Sequence, residues 1–378
     1  MRRKGTNNIG GGIEKYRWII ILILSFLLAM LLLHEKKVDQ KEYERLSALN
    51  EQKRLEQEKF EQDMKEKMQD DSFYQKLADG FDVNILIVGD SIGQGAGVET
   101  QGRGWYDQLS FYIKQQYNVN VTLTNVSMGG NASYAGYVRT AVLDDGIDYD
   151  LAVLCYGHND RVENLSVNYE AMIRMIMNKY PNCSIISILE SAQKDYTEKV
   201  VTIQNIAEYY GIAVADTIEP FSYNYDELTN DGTHPNDKGQ DVYFNTLKSI
   251  IDENVLRNTG RLTKQAYKNE QVAKFENYKW YGIGNDGFEK ISDKEYILNT
   301  SISGIMGIDY TYESGENKAD IYVDGRLYES PTVSFDYDFS QRHILVVSDD
   351  CTVQNEIKII FDTAEQAEGF QGMFFSWE

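Results

Sequence analysis

Ser91 follows a short apolar run and opens a glycine-rich turn in the stretch NILIVGDSIGQGAG, residues 84–97. A lone hydroxyl at the end of a buried strand can act as a nucleophile if a base takes its proton. The chain has four histidines, His34, His158, His234 and His343, and only His234 has an acid at a suggestive spacing. In NDGTHPND, Asp231 stands three residues before it, in a turn with Gly232 and Pro235. A carboxylate bonded to one ring nitrogen would fix the tautomer and leave the other nitrogen free for the serine proton. Gly89-Asp90-Ser91-Ile92-Gly93 fits a G-x-S-x-G nucleophile elbow, although a plain turn with a capping serine reads the same way. The Lys and Ser/Thr of a phosphate loop and the glycine spacing of a dinucleotide site are both missing.

Attack on a carbonyl also needs donors aimed at the oxyanion. Gly130 in NVSMGGNAS can present an N–H with no side chain in the way, and Asn159 in CYGHND carries two side-chain N–H groups. Both are also common turn residues. Asp90 reads as a residue that holds the turn, and His158 either lines the pocket or points away from it. With no His/Cys/Asp/Glu cluster at ligand spacing, neither a metal nor another cofactor is expected.

The elements that must position these residues alternate. Strands are predicted at Val83–Val88, Val121–Val126, Leu151–Cys155, Ser184–Leu189 and Ile212–Ala215, with helices around 104–116, 166–180, 194–210 and 236–256. Such alternation implies a parallel sheet covered on both faces, with ligands outside the carboxyl ends of the strands. Every candidate site residue falls at such an end.

In this order, GDSI, the glycine of NVSMGGNAS, GHND and DGTHPN resemble the blocks of the SGNH, or GDSL-type, hydrolase superfamily. Ile92 stands where leucine is common. The resemblance covers about residues 82–257 and implies a three-layer α/β/α sandwich like flavodoxin. It also implies a triad of Ser91, His234 and Asp231, with the Ser91 N–H, Gly130 and Asn159 as the oxyanion hole. An α/β-hydrolase reading fits less well, because Ser91 follows the first strand and the acid lies close before the histidine.

Outside this region, WIIILILSFLLAMLLL, Trp18–Leu33, has no charge and as a helix would span roughly 24 Å, just able to cross a bilayer. Arg2, Arg3, Lys4, Lys15 and Arg17 precede it against the single Glu14, which places the N-terminus in the cytoplasm and the rest outside. An uncleaved anchor is favoured over a signal peptide. The predicted organisation is a tail over 1–17, a transmembrane anchor over 18–33, a helical stalk over 34–79, the hydrolase domain over 80–258 and a β-rich domain over 259–378. Leu46, Leu49, Leu55, Phe60, Met64 and Met68 do not keep a clean heptad, so the stalk is read as solvated rather than coiled. Cys155, Cys183 and Cys351 read as core residues, a Cys155–Cys183 disulfide being open.

After Arg261 the pattern turns to period two. Asp324-Gly325 is predicted as a hairpin turn between 321–323 and 326–328, with strands at 304–312, 343–347 and 355–361 forming a small β-sandwich. Tyr278, Trp280, Tyr281, Tyr310, Tyr312, Phe374, Phe375 and Trp377 could stack on sugars but are better read as its core. A net charge of −22 argues against nucleic acid as a partner.

Together with the resemblance, these features lead to an expected membrane-anchored, extracytoplasmic serine esterase that deacetylates glycan. The alternative is an O-acetyltransferase on the same triad, which would need a multispan membrane partner to supply the donor. A noncatalytic glycan-binding module and a lipase rank lower, the first because the triad residues are all present, the second because GQGAGVETQGRGW is no apolar lid.

Overall fold

The computed structural model describes residues 11–378 apart from 71, 145, 258–261, 263–264 and 336–337. The chain divides between Gln69 and Asp70 into two units. The first is one helix, α1 (Gly11–Asp70). From His34 onward it holds neither Gly nor Pro and is built from strong helix formers. Arg54 pairs with Glu51 at 2.6 Å and Glu58 at 2.8 Å along its exposed surface. Ile19–Ile23 and Leu31–Leu33 are exposed on every side of the helix. Among the described residues, however, no helix is long and apolar enough to cross a membrane. The expected Trp18–Leu33 span is corrected to that extent: the Trp18 side chain lies outside the described residues, and Ile19–Leu33 covers roughly 22 Å against a ~30 Å core. Met1–Gly10, with Arg2, Arg3 and Lys4, and the side chains of Glu14, Lys15, Phe60, Met64 and Met68 also lie outside the described residues.

The stalk expected to reach residue 79 stops earlier. Ser72 caps a separate helix, α2 (Phe73–Asp79), by accepting from the Gln75 N–H, and Gly80 ends it in the left-handed region. Phe73, Tyr74 and Leu77 are buried in the core of the following domain, and Lys76 pairs with Asp150 at 2.6 Å. Burial of three large side chains makes α2 part of that domain.

The α/β domain runs in order through β1 (Val83–Gly89), α3 (Ser91–Gln94), α4 (Trp105–Tyr117), β2 (Val121–Asn125), α5 (Ser133–Val142), β3 (Leu151–Cys155), α6 (Val162–Lys179), β4 (Ser184–Leu189), α7 (Glu198–Tyr210), β5 (Ala213–Asp216), α8 (Ile218–Ser222), α9 (Tyr225–Leu228) and α10 (Asp237–Arg257). The strand order is β2-β1-β3-β4-β5, and every pair is parallel. Its two faces bury separate clusters. One is built largely on α5, α6 and α7, the other on α2, α4 and α10. This is the expected three-layer sandwich, with α5 as a helix the sequence reading did not place. The order reverses between β1 and β3, so a crevice opens beyond their carboxyl ends.

A second domain follows: β6 (Asn277–Gly282), β7 (Glu289–Lys290), β8 (Glu295–Asn299), β9 (Ile302–Tyr312), β10 (Gly315–Val323), β11 (Arg326–Glu329), β12 (Thr332–Phe335), β13 (Gln341–Val353), β14 (Glu356–Phe361), α11 (Ala364–Glu368) and β15 (Phe370–Trp377). One antiparallel sheet has the order β11-β10-β14-β8-β7, with β12 also on β10; the other has the order β13-β9-β15-β6. Both contribute to one core. The Asp324-Gly325 turn joins β10 to β11, with Val323 opposite Arg326. Tyr281, Tyr310, Tyr312, Phe374 and Phe375 are buried, so core packing accounts for them.

All three cysteines are free and buried. Ser184 pairs with Leu151 at the amino end of β3, whereas Cys155 is at its carboxyl end. Cys183 and Cys155 therefore sit at opposite ends of the sheet, which rules out the disulfide left open above.

Candidate active site

Ser91 is the first residue of α3, immediately past β1. Asp90 caps that helix, its Oδ1 accepting from the Ile92 N–H at 2.9 Å, and its own N–H donates to the Cys155 carbonyl at 3.0 Å. The turn needs Gly89, because a Cβ there would lie 2.8 Å from the Cys155 carbonyl oxygen and 2.9 Å from the Gly93 Cα. The indole of Trp105 donates to the Ile92 carbonyl and holds the turn from beneath.

His234 reaches Ser91 from the loop between α9 and α10. Thr229 and Pro235 form an isolated bridge across this loop, and the Asn236 N–H donates to the Leu228 carbonyl. His234 Nε2 lies 2.9 Å from Ser91 Oγ, and its Nδ1 lies 2.6 Å from Asp231 Oδ2. The other oxygen of Asp231 accepts the N–H groups of Thr233 and His234 at 2.9 and 2.8 Å. Partial burial pushes the Asp231 carboxyl up, but the imidazole and the two amides outweigh it and bring it down to about 2. Asp231 is thus an anion at ordinary pH, and it requires the proton of the ring to sit on Nδ1. That leaves Nε2 as an acceptor facing the serine hydroxyl.

The three expected oxyanion donors follow β1, β2 and β3, which are neighbours in the sheet. The Ser91 N–H is in the first turn of a helix, where amides have no intrahelical acceptor. Gly130 is exposed with φ +69°. Asn159 Nδ2 donates to Asp90 Oδ2 at 2.8 Å and leans on the Asn131 carbonyl at 3.2 Å. One amide hydrogen is therefore committed to Asp90, and only the longer contact can be exchanged for a ligand. Asp160 ties the loop that carries Asn159 to the start of α5 by accepting from the Ser133 N–H and hydroxyl. His158 is half-buried, and burial, then the nearby charge of Lys199, push its imidazole down.

Sequence spacing concealed two groups. Asp90, Cys155 and Glu190 converge with their ligand-type atoms within 4.8 Å of one another, all buried. They come from the ends of three strands that only the sheet brings together. Burial pushes all three groups up. The second group comes from β13. A Cβ on Gly129 would lie 2.7 Å from Gln341 Nε2 and 3.6 Å from Ser91 Cβ, and one on Gly130 would lie 2.8 Å from His343 Cε1. Asn131 ties this loop to β13, donating to the Arg342 carbonyl at 2.8 Å and accepting from the Ile344 N–H at 2.9 Å. The β domain therefore forms one wall of the crevice.

Residues 87–242 match the model of the GDSL-like lipase/acylhydrolase family. The matched stretch lies within the α/β domain and holds Ser91, Asp231 and His234, and the protein is a serine hydrolase of ester bonds. Among solved structures, the chain is similar to a two-domain esterase active on acetylated mannans, co-crystallized with mannopentaose. The TM-score is 0.66 at 15% identity, over 80% of this chain and 93% of that one. A second structure of such a two-domain esterase gives 0.63 at 15% identity, over 80% and 94%. The acetylxylan esterase Axe2 from Geobacillus stearothermophilus gives 0.37 at 17% identity, over 45% and 94%. No curated protein matches the sequence.

Proposed function

We propose that the protein removes acetyl groups from O-acetylated glycan through an acyl-enzyme on Ser91. The observation that carries this is the Ser91–His234–Asp231 relay, with contacts of 2.9 and 2.6 Å. His234 Nε2 takes the hydroxyl proton as Ser91 Oγ attacks the ester carbonyl. Asp231 stabilises the imidazolium, and the Ser91 N–H, Gly130 N–H and Asn159 amide receive the oxyanion. His234 then protonates the departing sugar hydroxyl, and water, deprotonated by the same ring, releases acetate and restores Ser91. Likeness of both domains to an esterase described as active on acetylated mannans supports glycan as the substrate class.

The wall from β13 sets the test. With O-acetylated mannan, Gln341→Ala combined with His343→Ala is expected to raise KM by about tenfold or more, the scale of losing one or two polar contacts. With p-nitrophenyl acetate, which carries no sugar for that wall to bind, kcat/KM should stay within about threefold. Equal losses on both substrates would remove the β domain from substrate binding.

The apolar surface of α1 from Ile19 to Leu33 supports attachment to a membrane, with the catalytic unit outside the cytoplasm. Deleting 19–33 is expected to move the protein from the membrane to the soluble fraction of lysed cells. An unchanged distribution would reject the anchor.

A further inference from the structure

Glu190 follows β4 directly and is 1% exposed, yet none of the steps above uses it. Its Oε2 accepts the His158 N–H at 2.8 Å and its Oε1 lies 3.4 Å from the Cys155 thiol. Its carboxyl also converges with that of Asp90, which is equally buried, their ligand-type oxygens lying within 4.8 Å of each other. Two buried carboxyls in contact do not both ionise, so the pair keeps one proton between them. Burial, then the charge of Glu190, pushes Asp90 well up, and burial pushes Glu190 up as well, so the two share that proton. Asp90 in turn accepts from the Ile92 N–H beside the nucleophile and from Asn159 Nδ2 at 2.8 Å. Glu190 thus grips the Asn159 segment twice, through the neighbouring His158 amide and through Asp90.

We infer that Glu190 is a positioning residue that aims the Asn159 amide at the developing oxyanion by fixing the Asp90 carboxyl. This rests on Asn159 being an oxyanion donor, as proposed above. With Glu190 gone, the Asp90 carboxyl keeps the Ile92 N–H but loses its neighbouring carboxyl, so the oxygen that receives the Asn159 amide is held less firmly. A donor that must be in place before charge develops then has to be ordered during the reaction.

The test is a cycle on the full chain with p-nitrophenyl acetate: Asn159→Ala, Glu190→Ala, and both together, each corrected for its folded fraction by circular dichroism. Asn159→Ala is expected to lower kcat by about 10²- to 10³-fold. Glu190→Ala is expected to lower kcat by about tenfold or more with KM within about twofold, and the double variant to be no slower than Asn159→Ala within about threefold. Glu190→Gln, which keeps an acceptor for His158 and a hydrogen-bond partner for Asp90, should recover kcat to within about threefold of the original. If Glu190→Ala does not fold, Glu190→Asp, which draws the carboxyl back by one methylene, takes its place in the cycle. A full additional loss in the Asn159→Ala background, or an unchanged kcat in folded Glu190→Ala, would overturn the inference while leaving Asn159 in its role. A normal kcat for Asn159→Ala would instead overturn the oxyanion assignment itself, and this inference with it.

Discussion

Ser91→Ala and His234→Ala are each expected to lower kcat on p-nitrophenyl acetate by on the order of 10⁴-fold or more, with the folded fraction unchanged. The two groups act as a unit, because without the 2.9 Å contact the hydroxyl has no base and the imidazole has nothing to deprotonate. The double variant should therefore be no slower than either single one. Asp231→Asn keeps the shape but donates toward His234 Nδ1 and reverses the tautomer, so a loss of roughly 10³- to 10⁴-fold is expected. Both oxygens of Asp231 are engaged, one by the ring and one by two amides, so its contribution is to orientation as well as charge. Steady-state kinetics on the purified variants checks this. A Ser91→Ala enzyme within tenfold of the original would place the nucleophile elsewhere.

Gly89→Ala is expected to destabilise the fold strongly at the nucleophile turn. The added carbon would meet backbone on two sides, the Cys155 carbonyl at 2.8 Å and the Gly93 Cα at 2.9 Å. Neither can retreat cheaply. The Cys155 carbonyl accepts the Asp90 N–H, and Gly93 is itself confined by Ser127. Overpacking of this kind costs about 2–3 kcal/mol, equivalent to a fall in Tm of roughly 3–5 °C for the unit Asp70–Glu378. Calorimetry measures it directly. An unchanged Tm would mean that the elbow is looser than its contacts imply.

Residues that chemistry places at strand ends were legible because their local sequence is under strong demands. Ser91 needs a tight turn, so glycines flank it; His234 and Asp231 share a loop, so their spacing is short and visible. The five parallel strands were readable for a related reason, since each is a compact apolar run with both faces buried. α5 was hidden by Gly136, which looks like a helix breaker but sits where a Cβ would meet Met172 Sδ at 2.4 Å and a Tyr156 ring carbon at 2.6 Å. Its glycine serves a close helix approach. α2 was lost in the charged helix before it, because only tertiary burial of Phe73, Tyr74 and Leu77 distinguishes the two. Glu190 offered one local signal, an acid directly after the apolar strand SIISIL. Its pairing with Asp90 and Cys155 depends on which strands are neighbours, and spacing does not encode that. Gln341 and His343 lie more than 240 residues beyond Ser91 and reach it only through the docking of β13 on the Gly130 loop.

The central claim is tested most directly by mixing the full chain with O-acetylated mannan, quenching in acid during turnover, and weighing the peptide that holds Ser91 while free acetate is measured. The account predicts one acetyl group on Ser91, acetate released at the same rate, and neither in Ser91→Ala. Acetate released with no acetyl on Ser91 would contradict the acyl-enzyme. Acetyl on Ser91 that passes to added oligosaccharide instead of water would make the protein a transferase.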